Sequence, residues 1–224
     1  RQAFIPREGY RFFLIDYSQM EYRLMLEYAS AKSLIDKVNG GLDVHTATAE
    51  LSRITRTQAK TVNFLTLYGG GIANLARQLG TTELEAKRIQ NSIFDSAPEI
   101  KKLIDTCKNT AKTRRVIYNW LGRPYYFPIS AYSYRAPNYL IQGGCADVVR
   151  TAMVRCSELL EGTESHMLLQ IHDELVFECS KANQAAVEKI VKKTMESISS
   201  SEYHVFSMPL DVNVNSGNNW GEAH

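Results

Sequence analysis

The sequence predicts an α+β fold, an antiparallel sheet backed by helices and interrupted by a long, mostly helical stretch. Three observations carry that prediction. Between Met167 and Glu178, two runs rich in Leu, Ile, Val and Phe flank a polar His172-Asp173-Glu174 corner, the pattern of a tight β-hairpin with carboxylates at its tip. Phe12-Phe13-Leu14-Ile15 is a continuous apolar run ending in Asp16, which reads as a buried strand with an acid at its carboxyl end. Over most of the chain between these two stretches the apolar residues recur at helical spacing.

Composition sets the outer bounds. A chain of 224 residues with 44% hydrophobic content can bury a proper core, as one large domain or two small ones. The formal net charge is +2, from 26 basic against 24 acidic side chains, so nucleic-acid binding would have to come from local clustering. Cys107, Cys145, Cys156 and Cys179 show neither a C-x-x-C pair nor a His partner at zinc-finger spacing. Reduced, mostly buried thiols in an intracellular protein are expected, without disulfide or zinc. Nothing in the sequence points to a membrane span or a secretory leader.

Taken in order, Asp16 is followed by Tyr17-Ser18-Gln19, which breaks the strand pattern. From there Met20, Leu24 and Tyr28 share a helical face, with Glu21, Arg23 and Glu27 as its polar complement. Asp16 or Ser18 is open to a plain reading as a helix N-cap. Acids near a second acid repel and lose solvation, and a divalent metal is the usual compensation. The alternative at Asp173-Glu174 is an acidic surface turn. Two acids on separate strands are the minimum for holding two magnesium ions about 3.5–4 Å apart in phosphoryl transfer.

Arg56 to Tyr68 reads as a helix ended by Gly69-Gly70-Gly71. Steps of four place Arg56, Lys60, Phe64 and Tyr68 on one stripe that runs from cationic to aromatic. Cations in a first turn oppose the helix dipole, whereas a triphosphate along that face would account for them. A helix with a solvated basic end and a core-packed aromatic end is the competing reading. Further on, Leu75, Leu79, Ile89, Ile93 and Phe94 have helical spacing, and Thr82 with Glu85 forms a candidate capping box. Ala97-Pro98 marks a break, followed by the stripe Ile100, Leu103, Ile104, Cys107 and Ala111. Lys112, Arg114 and Arg115 make a basic patch before a hairpin over Val116 to Phe127 that turns at Gly122-Arg123. Leu140 to Leu160 is predicted as a long helix. Ala186, Ile190, Val191 and Met195 are expected to cover the sheet, and Leu210 to Val214 alternates as a closing strand.

With these stretches in view the chain resembles the family A DNA polymerases, the bacterial DNA polymerase I type. Asp16-Tyr17-Ser18-Gln19-Met20-Glu21-Tyr22-Arg23 is similar to the family's first motif, Arg56 to Gly69 to its second and Gln170-Ile171-His172-Asp173-Glu174 to its third, in the family's order. Asp43-Val44-His45, Gly122-Arg123, Asn138 with Gln142, and Ser216-Gly217-Asn218-Asn219-Trp220 extend the likeness over essentially the whole chain.

The resemblance implies template-directed addition of deoxynucleoside triphosphates to the primer 3′-end of a primer-template DNA, with two Mg2+ ions. Asp16, Tyr17 and Asp173 would hold the metals, with Glu174 supporting. Arg56, Lys60 and His45 would grip the triphosphate, and Lys60 would also protonate the leaving pyrophosphate. Phe64 and Tyr68 would close over the new base pair and sugar. Glu21 would act as a steric gate against a ribose 2′-hydroxyl, with Gln19 beside the nucleotide. Arg23, Asn138, Gln142 and His172, with Arg123 and Arg135, would contact the primer-template. In domain terms the resemblance implies a palm over 1–31 and 138–224 and fingers over 32–137. Thumb and exonuclease regions are expected to be absent, which implies a thumb-bearing partner polypeptide or a missing N-terminal region.

The chain departs from the family pattern at several places. Leu65 stands where a glycine usually follows the aromatic, which is expected to add bulk beside the nucleotide. Tyr22 replaces a commoner aliphatic residue, and Arg135 lies one position closer to Asn138 than the pattern has it. A related single-subunit RNA polymerase is the enzyme alternative, which Glu21 argues against. A polymerase-derived subunit that binds DNA or a partner without catalysing is the other.

Overall fold

The computed structural model describes residues 1–67 and 70–224, with the main chain alone at residues 66 and 67. In chain order its elements are β1 (Tyr10–Tyr17), α1 (Met20–Ala29), α2 (Lys32–Asn39), α3 (Val44–Ser52), α4 (Arg56–Leu67), α5 (Ile72–Leu79), α6 (Glu83–Ser96) and α7 (Pro98–Arg114). There follow β2 (Val116–Tyr118), β3 (Pro124–Tyr126), α8 (Ala136–Leu160), β4 (His166–Ile171), β5 (Glu174–Ser180), α9 (Gln184–Glu196), β6 (Val212–Gly217) and α10 (Trp220–Ala223). Two compact units result. One contains Arg1–Met20, Cys145–Val205 and Pro209–His224; the other contains Glu21–Gly144 and Phe206–Met208.

The first unit is built on a four-stranded sheet in the order β4-β5-β1-β6, antiparallel at every junction. Its central strands β1 and β5 are the two uninterrupted apolar runs, as strands covered on both faces should be. Phe13 pairs in register with Phe177, and the two rings stack at 4.8 Å. Side chains alternate across the sheet. Phe12 and Leu14 join Val176, Ala223, Ile171 and Trp220 in one cluster, while Tyr17 faces α9 and donates its phenol proton to the Met195 carbonyl at 2.9 Å. Gly217 is obligatory here, because a Cβ on it would lie 2.6 Å from the Ala223 nitrogen. The buried stripe of α9 is Val187, Val191, Thr194 and Met195. Ala186 and Ile190, expected to cover the sheet, are instead exposed. Val191 and Met195 are buried as expected, and Val187 rather than Ala186 begins the stripe.

The second unit is mostly helical. Helix α1 is buried on nearly every side, Arg23 included at 7% exposure, so Arg23 is not part of a solvated polar face. Helices α4, α5 and α6 share a core of Val62, Leu65, Leu75, Ala76, Ala86, Ile89 and Ile93. Thr82 caps α6 by accepting from the Glu85 N–H at 3.2 Å. The Glu85 carboxylate turns instead to Arg88, at 2.7 and 2.8 Å, so only one half of the predicted capping box forms. Pro98 opens α7 at its first turn, where its missing N–H costs nothing. The β2–β3 hairpin turns at Gly122, φ 79°. Helix α8 starts at Ala136, four residues before the apolar run at Leu140. Asn138 and Gln142 therefore lie one above the other on its first turns. Phe206 packs edge-on against Trp120 at 5.5 Å within this unit.

All four cysteines are free and buried. Among the described residues no helix is long and apolar enough to cross a membrane.

Candidate active site

In the sheet unit, Asp16 is the penultimate residue of β1 and stands in register with Glu174 on β5 and Asn213 on β6. Alternation places it on the face of Phe12 and Leu14, opposite the one Tyr17 shares with α9. Asp173 is not on a strand. Pairing of β4 with β5 runs to Ile171–Glu174, which leaves His172 and Asp173 as a two-residue turn, with His172 at φ 54°. A non-glycine residue in that region is uncommon and carries local strain. The turn is tied back twice. The Tyr17 N–H donates to the Asp173 carbonyl at 3.3 Å, and the Gln170 amide donates to the His172 carbonyl at 2.7 Å.

Three carboxylates thus belong to one end of the sheet. Burial pushes the Glu174 carboxyl above its ordinary value, the Asp16 and Asp173 charges add to the rise, and Arg1 partly offsets it. The His224 Nδ1 lies 3.3 Å from the same carboxylate. Among the described residues no three His, Cys, Asp or Glu side chains group into a ready-made cage for a metal ion. Magnesium is commonly held by one or two carboxylates together with substrate phosphates, and the crowded charge at Glu174 is of the kind a divalent cation relieves. The Tyr17 phenol is committed to Met195, so only its main-chain carbonyl is available as a ligand.

In the helical unit, Arg56, Lys60 and Phe64 are exposed along α4, Phe64 at 39%. Tyr68 and Gly69 lie outside the described residues. Arg56 has a structural partner that the sequence did not disclose: its Nε donates to Asp43 Oδ2 at 3.2 Å. Asp43 is the N-cap of α3, accepting from the His45 and Thr46 N–H groups, both at 3.0 Å. The bridge joins the starts of α3 and α4 at the surface. Partial burial raises the Asp43 carboxyl, but the Thr46 bonds and the Arg56 guanidinium outweigh it and hold it at about 2.

His45 is 5% exposed in the first turn of α3. Burial lowers its affinity for a proton; Asp43 opposes that, and Arg56 and Lys60 reinforce it. Its Nδ1 is 3.1 Å from the Asn63 side-chain nitrogen on α4. Its ring lies 5.8 Å from that of Phe64. Two residues assigned to different tasks meet elsewhere in this unit: the Gln142 amide donates to Glu21 Oε1 at 3.4 Å. Asn138 and Gln142 also line an open cavity of about 540 Å³ with Tyr125, Tyr134, Arg135 and Tyr139. Arg135 stacks over the Tyr132 ring at 5.0 Å and bonds the Tyr134 hydroxyl at 3.0 Å. Arg123 is exposed just past the hairpin turn, His172 is exposed at its own turn, and Gln19 is half-buried at φ 54° ahead of α1.

Leu65 corrects an expectation. It is 6% exposed and belongs to the α4–α5–α6 core, so it adds bulk there and not beside a nucleotide. Its Cδ2 would lie 2.6 Å from a Cβ on Gly70. Tyr22 likewise points inward, 2% exposed, with its hydroxyl 2.8 Å from Thr48 Oγ1. Two residues that organise this unit, Asp43 and Asn63, were given no role by the sequence reading. Asp43 carried a signal, an acid just ahead of a helix start. Asn63 carried only its polarity between Val62 and Leu65.

Residues 1–222 match the family model described as DNA polymerase family A. The thermostable DNA polymerase I of Thermus aquaticus is 32% identical over 241 residues, covering all of this chain and 28% of the relative. DNA polymerase I of Borreliella burgdorferi is 34% identical over 244 residues, again all of this chain and 26% of the relative. Among solved structures, the POL domain of Pol1 from M. smegmatis, in complex with DNA primer-template and dNTP, aligns with a TM-score of 0.90 at 30% identity, over all of this chain and 42% of that one. The chain spans little more than a quarter of the length of these curated relatives, 26–28%. It belongs to the family A DNA polymerases.

Proposed function

We propose that this chain carries the nucleotidyl-transfer centre of a DNA polymerase that extends a primer 3′-end by template-directed addition of deoxynucleoside triphosphates, using two magnesium ions. The observation that supports this most is the carboxylate end of the sheet, where Asp16 faces Glu174 and the Tyr17 N–H holds Asp173, in a chain of this family.

In this reading the sheet unit is the palm and the helical unit carries the fingers. Asp16 and Asp173, with the Tyr17 carbonyl, are the groups that would hold magnesium, which when bound supplies charge neutralisation on the phosphates and a more acidic primer hydroxyl. Glu174, which retains its proton more readily than an ordinary carboxyl, sits beside them as a support. Arg56 and Lys60 bind the triphosphate along the exposed stripe of α4, and Lys60 delivers a proton to the departing pyrophosphate. His45 donates to the same phosphates. Phe64 and Tyr68 cover the base and sugar. Glu21, with Gln19 nearby in sequence, occupies the room a 2′-hydroxyl would need. Arg23, Arg123, Arg135, Asn138, Gln142 and His172 contact primer-template DNA. A thumb-bearing polypeptide belongs to the same proposal, since phosphate contacts supply most DNA affinity.

The test is primer extension at low salt with magnesium and four deoxynucleotides, over a wide range of protein concentration. Template-dependent extension that is lost in Asp16→Asn supports the proposal. Extension that survives in Asp16→Asn refutes the carboxylate assignment. No extension, even after a thumb-bearing chain is added, points to the non-catalytic subunit instead.

A further inference from the structure

We propose that Asn63, oriented by Thr48 and Tyr22, is a positioning residue that holds His45 in its Nε2–H tautomer, so that the imidazole presents an N–H donor to the phosphates of a bound nucleotide. The inference deepens the nucleotide-binding reading of this face and rests on it.

The argument is a count of protons. The Thr48 hydroxyl donates to the Val44 carbonyl at 2.8 Å, which uses its only hydrogen and leaves Oγ1 as an acceptor with two lone pairs. One lone pair takes the Tyr22 hydroxyl at 2.8 Å. The other takes Asn63 Nδ2 at 3.3 Å. Asn63 therefore presents its NH2 group to this side, and the second hydrogen of that group meets His45 Nδ1 at 3.1 Å. Nδ1 must then accept, which places the ring proton on Nε2. With the amide turned over, Asn63 Oδ1 would face a Thr48 oxygen whose only hydrogen already lies on the Val44 carbonyl, setting two acceptors against each other. All four side chains lie in a dry setting, with Tyr22 and Asn63 at 2%, His45 at 5% and Thr48 at 0% exposure, where a mismatched donor pair is most costly.

The charged groups facing His45 agree with a neutral ring. Asp43 from its own helix favours the charged form, while burial and the Arg56 and Lys60 cations from α4 disfavour it. An imidazolium would also set N–H against the Asn63 N–H. Arg56 and Lys60 thus supply charge on this face, and His45 supplies a directed neutral donor. Tyr22, the residue that departs from the family's first motif, fills the remaining acceptor site of Thr48 and so completes the orientation of Asn63.

The experiment is nuclear magnetic resonance of the full chain with 15N-labelled histidine, titrated with deoxyadenosine triphosphate. In the unmutated protein the His45 signals should be those of a single neutral Nε2–H tautomer, with the Nε2 proton shifting on nucleotide addition. Asn63→Leu and Thr48→Val should give mixed tautomers and weaken nucleotide affinity about tenfold, the scale of one hydrogen bond to a charged acceptor. Thr48→Ser, which keeps the hydroxyl, should restore both. An Nδ1–H tautomer or a mixture in the unmutated chain overturns the positioning role and leaves the nucleotide reading standing. An Nε2–H tautomer that does not respond to nucleotide overturns the donor role and the nucleotide reading of this face together. That first measurement needs no variant to fold.

Discussion

Asp16 on β1 and Glu174 on β5 face each other in register, one residue from Asp173, whose carbonyl accepts the Tyr17 N–H. The sheet therefore sets the spacing of two carboxylates through main-chain pairing, and the side chains are left for chemistry. Replacing Asp16 or Asp173 by Asn keeps shape and hydrogen-bonding capacity while removing charge. Each change should lower primer extension by at least about a hundredfold, since metal-assisted charge stabilisation is worth several kcal/mol. The thermal midpoint should stay the same or rise, because like charges at this end of the sheet are relieved. Extension at the unmutated rate in Asp173→Asn would refute the metal assignment.

Sugar selection gives a second expectation. Glu21 on α1 accepts from Gln142 on α8 at 3.4 Å, which places the side chain assigned to excluding a 2′-hydroxyl under the influence of one assigned to the duplex. Glu21→Ala should lower the preference for deoxynucleotides over ribonucleotides, as a ratio of kcat/KM, by about ten- to a hundredfold, the range a small steric difference commands. Gln142→Ala should shift the ratio the same way by less. Single-nucleotide incorporation of dATP against ATP measures it, and an unchanged ratio in Glu21→Ala would remove the gate.

Much of this was legible because the motifs sit on strongly patterned elements. Phe12–Ile15 and Leu175–Phe177 are apolar runs, so the strands and the acids at their ends could be read from local composition, and the aromatic and cationic stripe of α4 followed from its four-residue period. What was not legible depends on pairing across long sequence distances. Nothing in the neighbourhood of Arg56 announces Asp43, and Tyr22, Thr48, Asn63 and His45 come from three helices. The corner at His172-Asp173-Glu174 is legible from the apolar runs that flank it, but those runs do not say where pairing stops; the placing of Asp173 in the turn and Glu174 on β5 is fixed only by the sheet. Ala186 and Val187 were exchanged because both fit an apolar stripe and only the sheet beneath chooses between them.

The Asp43 cap should be visible in acid. Its carboxyl is held at about 2 in the folded protein, below the value of about 4 for an unfolded chain. A depressed acid contributes stability that is complete above the unfolded value and lost as pH falls through the window between the two. Asp43→Ala should therefore destabilise the protein by about 1 kcal/mol near pH 7, the usual scale for losing an N-cap, and by less as pH drops below about 4. Asp43→Asn should retain most of the stability, because Asn caps equally well and the Arg56 pair is exposed enough to add little. Urea denaturation of the three proteins at several pH values measures this, and a pH-independent difference between them would refute it.

Leu65 offers the sharpest separation of stability from function. It occupies the core of α4, α5 and α6, at a position where a glycine is the commoner choice, and its side chain comes within 2.6 Å of a Cβ built on Gly70. Leu65→Ala should cost about 2–5 kcal/mol by leaving a cavity, and Leu65→Gly about 1 kcal/mol more from the helix interior. Neither should change discrimination between deoxynucleotides and ribonucleotides. Gly70→Ala should be destabilising with Leu65 present and much less so in Leu65→Ala, because the space for the new methyl is the space the leucine leaves. A double-mutant cycle read by urea denaturation should then show coupling well above the roughly 0.3–0.5 kcal/mol scatter of independent sites. Additive effects would mean that Leu65 and Gly70 do not share that space, and a changed sugar preference in Leu65→Ala would return this side chain to the nucleotide.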